Sequence, residues 1–158
     1  MAGAQASSGP ASQEQTALGV DMDLEVVTLP VADVDRAKRF YESLGWRLDA
    51  DIVQGDDFRV VQFTPPHSGC SIQFGKGAQT AEPGSAYGMI LVVKDIDAAR
   101  NDLINRGVDV SQVQEMKPPG LDAPGRSYFA RASFSDPDGN SWQLQEITTR
   151  LPGRTWED

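Results

Sequence analysis

The sequence predicts an α+β fold in which one βαβββ unit occurs twice in tandem. Three observations carry that prediction. The segment Val31-Ala32-Asp33-Val34-Asp35-Arg36-Ala37-Lys38 returns 62 positions later as Val93-Lys94-Asp95-Ile96-Asp97-Ala98-Ala99-Arg100. Each copy runs through a helix-like stretch to a glycine, Gly45 and Gly107, at the same spacing. Each is preceded by an apolar, β-rich run and ends in a strand carrying a glutamine, Gln73 and Gln143. A unit of this kind leaves one sheet face unfilled, so two copies must pack, and a cleft between them is a natural ligand site.

In the first copy, Leu24 to Leu29 has strand composition, and Pro30 fits a strand end or sheet edge. Asp33 is placed to cap a helix whose buried stripe is Arg36, Ala37, Phe40, Tyr41 and Leu44, at i, i+3, i+4 spacing. Gly45 stops it as the residue beyond the C-cap. Strands are expected at about 46–53, 58–64 and 70–75. The last two are separated by the turn Pro65-Pro66-His67-Ser68-Gly69.

The second copy repeats the order. A strand at 88–93 leads into a helix from Asp95 or Ile96 to Arg106, and strands follow at about 108–114, 128–135 and 141–147. Asp136-Pro137-Asp138-Gly139-Asn140 is a strong turn signal between the last two. The main asymmetry is the Pro/Gly-rich stretch 116–126, which stands where the first copy has only Gln54 to Asp57. Loops of this length often cover binding sites.

Composition narrows the function class. At 158 residues, the chain is long enough to bury a core without staples. The net charge of −9, with basic residues scattered, argues against a nucleic-acid surface. No apolar stretch approaches the ~20 residues that span a bilayer, so no membrane partner is expected. A single cysteine, Cys70, points to a reducing compartment, and residues 1–20 lack the charge and apolar core of a secretory signal. The expectation is a cytoplasmic domain over 21–150, with modules at about 22–77 and 86–148. It is flanked by a disordered tail at 1–20 and a short tail at 151–158.

The run Leu29-Pro30-Val31-Ala32-Asp33-Val34-Asp35-Arg36-Ala37-Lys38-Arg39-Phe40-Tyr41, followed by Leu44-Gly45-Trp46, resembles the opening of the vicinal oxygen chelate superfamily of glyoxalases, bleomycin-resistance proteins and extradiol dioxygenases. Phe134-Ser135-Asp136-Pro137-Asp138-Gly139-Asn140 resembles its closing hairpin, and the likeness covers roughly 22–148. The resemblance implies that the two modules form a curved mixed-sheet cup with helices on the outside. It also implies a homodimer in which modules pair across chains, side by side or by exchange.

Many members of that superfamily hold a divalent ion on the first and last strands of each module. Here those positions fall on Val26, Gly88 (or Met89), Gln73 and Gln143. Valine and glycine offer no donor, amide oxygens suit Zn, Ni, Mn or Fe poorly, and a single histidine rules out a two-histidine site within one protomer. No metal and no cofactor are therefore expected.

The matched glutamines should face one another across the cup. They either bond each other or water, or hold a polar group of a ligand. Arg59 and Arg131 stand 72 residues apart. They are surface arginines or, if they share the glutamines' face, they suit a carboxylate or enolate. Alternation adds Thr28, Ser71, Ile90 and Ser133 to the possible cup residues, and turns Trp142 toward the helix. His67 reads as a turn residue, although its ordinary pKa suits acid–base chemistry; Cys70 reads as a small buried hydrophobe.

Two function classes follow. One is a metal-independent protein that binds a small organic molecule in the cup, as bleomycin-resistance-like relatives do. The other is a metal-independent enzyme, an isomerase, cyclase or lyase of a small carbonyl or aromatic substrate, using Arg59, His67, Tyr128 or Glu25. The enzyme reading requires a titratable group in the cup with a displaced pKa.

Overall fold

The computed structural model describes residues 19–117, 119–120 and 125–151. The first copy of the repeat forms β1 (Val26–Thr28), α1 (Val34–Ser43), β2 (Arg47–Gln54), β3 (Phe58–Thr64) and β4 (Ser71–Lys76), in the sheet order β1-β4-β3-β2. The second forms β5 (Met89–Val93), α2 (Ile96–Asn105), β6 (Gln114–Glu115), β7 (Ala130–Ser135) and β8 (Ser141–Glu146), in the order β5-β8-β7-β6. Each first strand pairs parallel with its module's last, and the other pairs are antiparallel. The molecule is an α+β fold of two tandem modules. No helix among the described residues is long and apolar enough to cross a membrane.

Both helices start for the same reason. The side chain of Asp33 accepts from Arg36 N, and that of Asp95 from Ala98 N, each at 3.0 Å. One otherwise orphaned amide is satisfied in each first turn. Gly45 and Gly107 follow the helices at φ 77° and 88°, in the left-handed region that a side chain disfavours.

Strand alternation gives each sheet a helix-covered face and an open face. Val61, Phe63, Ile72 and Phe74 lie on the covered face of module one, and Ala130, Ala132, Phe134, Trp142 and Leu144 on that of module two. The two covered faces share one core. Tyr41 packs on Trp46, Phe63 and Phe74 of its own module and reaches Trp142 of the other at 6.3 Å between ring centroids, while Trp46 meets Trp142 edge-on at 5.2 Å. A buried side chain of this size contributes about 1.5–3 kcal/mol.

A polar latch fixes the same junction. The Tyr41 hydroxyl donates to Asp136 Oδ2 at 2.9 Å and accepts from Trp142 Nε1 at 3.1 Å. Asn140 Nδ2 donates to Pro30 O, and Asp138 Oδ1 accepts from Ala32 N and Arg36. Because the covered faces are used against each other, the open faces lie on the outer sides of the core.

Three expectations change. The strand expected at 108–114 is reduced to Gln114–Glu115. Ser111 N donates to Ser133 O while its side chain accepts from Ser133 N, so a serine replaces the ladder there. The strand expected from 128 starts at Ala130, because Tyr128 takes φ 69° in a turn. The first strand is only Val26–Thr28. The tails lie almost wholly outside the described residues, as do positions 118 and 121–124 of the long loop.

Candidate functional site

The open face of module one is built from alternate residues of three strands. Val26 sits opposite Ser71 and Thr28 opposite Gln73, while Gln62 sits opposite Gln73 from the other side. Gln73 Nε2 donates to Thr28 Oγ1 at 2.9 Å. Ser71 Oγ and Thr64 Oγ1 share a 2.7 Å hydrogen bond, and the Thr64 hydroxyl also bonds the Asp49 carboxylate. That bond holds the Asp49 carboxyl below the usual carboxylate range.

Module two presents the matching surface. Ile90 and Ser133 flank Gln143 on its two sides, and Arg131 stands opposite Gln145. Arg131 Nη1 lies 3.4 Å from Gln143 Oε1. Gly88 precedes β5 at φ 82°. Ser71, Gly88 and Ile90 come together around a cavity of about 340 Å³ between the free edges of β1 and β5, lined also by Leu24, Cys70 and Trp142. Two larger cavities, of about 550 and 530 Å³, are lined by Phe40, Asp109 and Ser133 and by Trp46, His67 and Leu103. None of the three is lined by Gln73 or Gln143.

Nine of the ten expected site residues belong to these two open faces, but Arg59 does not. Its guanidinium bonds Asp51 at 2.9 and 3.0 Å and Asp35 of α1 at 2.7 Å, on the helix-covered side of β3. The registers explain the error. Gln62 corresponds to Ser133 and Val60 to Arg131, an offset of 71, whereas Gln73 and Gln143 are offset by 70. A slip of one residue inverts the face. Gln62, Gln145 and Asp49 are neighbours that the repeat did not single out; the β3–β4 register, once known, reveals Gln62.

Of the groups suggested for acid–base work, the Tyr128 hydroxyl accepts from Leu151 N. The Glu25 backbone carbonyl, not its carboxylate, accepts from Ser71 N. His67 occupies a left-handed turn at φ 62°. Burial pushes the Cys70 thiol up, with a smaller push from Glu25, so it is a poor thiolate. The displaced carboxyls of Asp35, Asp49, Asp51 and Asp97 are all lowered, away from the range of a general base at neutral pH.

The four positions at which the resemblance implies metal ligands, Val26, Gly88, Gln73 and Gln143, carry an alkyl group, a hydrogen and two amides. Among the described residues no three of His, Cys, Asp or Glu converge. This donor set does not fit a transition metal.

The family model for the Glyoxalase/Bleomycin resistance protein/Dioxygenase superfamily matches residues 23–144. The solved structure of TnmS3, an antibiotic binding protein from Streptomyces sp. CB03234, is 32% identical with a TM-score of 0.66, over 82% of this chain and 98% of that one. A glyoxalase/bleomycin resistance protein from the same strain is 33% identical with a TM-score of 0.61, over 78% and 99%. A superfamily member from Sphaerobacter thermophilus is 30% identical with a TM-score of 0.63, over 80% and 98%. No curated protein matches.

Proposed function

The chain belongs to the Glyoxalase/Bleomycin resistance protein/Dioxygenase superfamily, and from that membership we propose that it binds a small organic molecule, without a metal ion, on the surface carrying Gln73 and Gln143. The observation that carries this reading is the matched pair itself. Two amides occupy equivalent register positions on the open faces, at the places where the superfamily resemblance implies metal ligands. TnmS3, matched over 98% of its own length, is an antibiotic binding protein, which supports a binding role.

The cup is completed by a second copy of the chain. The covered faces meet each other within the protomer, so Gln73 of one chain faces Gln143 of its partner, across a junction where the edges of β1 and β5 are free. Exposed Leu24, Val27 and Ile90 along those edges favour such pairing. A reducing, cytoplasmic setting suits the single cysteine.

The test is a thermal-shift screen of the chelator-treated protein against small organic compounds, including antibiotics. A stabilising ligand and a sedimenting dimer at micromolar concentration are expected. About one Zn, Ni, Mn or Fe per purified chain would overturn metal independence. A clean monomer that still binds would remove the two-chain cup.

A further inference from the structure

Resting on that binding reading, we propose that the ligand carries an anionic oxygen (a carboxylate, enolate or phenolate) on a planar, largely apolar frame, and that Arg131 selects for it. The chain has 23 acidic against 14 basic residues, so carboxylates are plentiful. Most other arginines use them: Arg36 with Asp138, Arg47 with Asp49, Arg59 with Asp35 and Asp51, Arg106 with Asp102, Arg126 with Asp97.

Arg131 is half-buried on the open face of module two. Among the described residues no carboxylate lies within ion-pairing distance of it. Its hydrogen-bond partner is Gln143 Oε1 at 3.4 Å, near the outer limit of such a bond. A guanidinium partly withdrawn from water and lacking a counter-charge is unfavourable until an anion meets it. Its planar fork grips a carboxylate through two parallel hydrogen bonds and stacks on flat rings.

The surroundings fit the rest of such a molecule. Gln143 lies between β7 and β5, and beyond it Ile90 is 46% exposed on the same face, an apolar bed for the ligand's body. The matching position in module one is the uncharged Val60. On module one's face the Asp49 carboxylate is already bonded by Thr64 and paired with Arg47 at 2.6 Å. The charge is therefore one-sided. The anionic end of the ligand belongs against module two, and the neutral end against the amide and hydroxyls of module one.

The experiment titrates the full-length protein calorimetrically with one-, two- and three-ring aromatic carboxylates and their neutral carboxamides, shape-matched in pairs. Wild-type protein should prefer the carboxylate of the best-fitting pair by about ten- to a hundredfold, the usual range for a charge-assisted hydrogen bond. Arg131→Gln, with its melting temperature checked, should abolish that preference, and Arg131→Lys should retain part of it. Equal binding of both pair members, or a preference that survives Arg131→Gln, overturns the anion proposal and leaves the binding reading standing. Failure of every carboxylate and carboxamide to bind overturns the anion proposal, whereas the binding reading falls only if the thermal-shift screen also yields no stabilising compound.

Discussion

Single side chains join the two modules, and Tyr41 is the clearest case. Its ring is buried in both halves of the core, and its hydroxyl links Asp136 to Trp142. Burial and the Asp136 charge push its pKa far up, so it stays a neutral donor. Tyr41→Phe keeps the ring but leaves the Trp142 N–H unpaired, and should cost about 1–3 kcal/mol in urea unfolding. No measurable loss would mean that the latch is not a stabilising link.

Asp51 supplies a second test at this scale. Hydrogen bonds from Arg59 and Lys38 lower its carboxyl to about 2 in the folded state. A depressed carboxyl adds stability that is complete above its unfolded value, near 4. That stability is lost as pH falls from there towards 2. Wild-type protein should therefore exceed Asp51→Asn in stability at pH 6, and the gap should close in that acid window. A gap independent of pH would exclude the carboxylate as its source. Residue identity was legible in the sequence here, but side-chain direction was not. Both modules have an arginine in the right strand, and only the hydrogen-bond register shows that Arg59 and Arg131 point to opposite faces.

At the scale of elements, the repeat was legible because each signal is local. An aspartate, a helical stripe and a glycine recur at one spacing, and both helices begin and end where those signals stand. Asp33→Ala and Asp95→Ala should each lower stability by about 0.5–2 kcal/mol, and by similar amounts, since each removes one cap of 3.0 Å. Unequal losses, with one near zero, would show that the two caps are not equivalent. The segment 108–113 was misread for a physical reason. Val108 and Val110 are buried like strand residues, yet Ser111 offers its side chain in place of the backbone ladder. Apolar periodicity reports burial, and a buried coil satisfies it as well as a strand does.

For the whole molecule, family membership and two-module architecture were visible in the sequence, while the relation between the modules was not. Which faces meet depends on contacts such as Tyr41 with Trp142, about a hundred residues apart, and on the turn at Asp136 to Asn140 gripping the start of α1. No short motif encodes that choice. It decides that the glutamine-bearing faces look outward, which is why the cup proposed above draws on a second chain. The central claim is that this surface binds an organic molecule through its glutamines and without a metal. Calorimetric titration of the chelator-treated protein, wild type against the Gln73→Ala, Gln143→Ala double variant, with the strongest hit from the thermal-shift screen, tests it most directly. The account predicts binding that chelation leaves unchanged and that the folded double variant weakens about five- to a hundredfold, the loss of two neutral hydrogen bonds. Binding abolished by chelation, or affinity unchanged in the double variant, would contradict it.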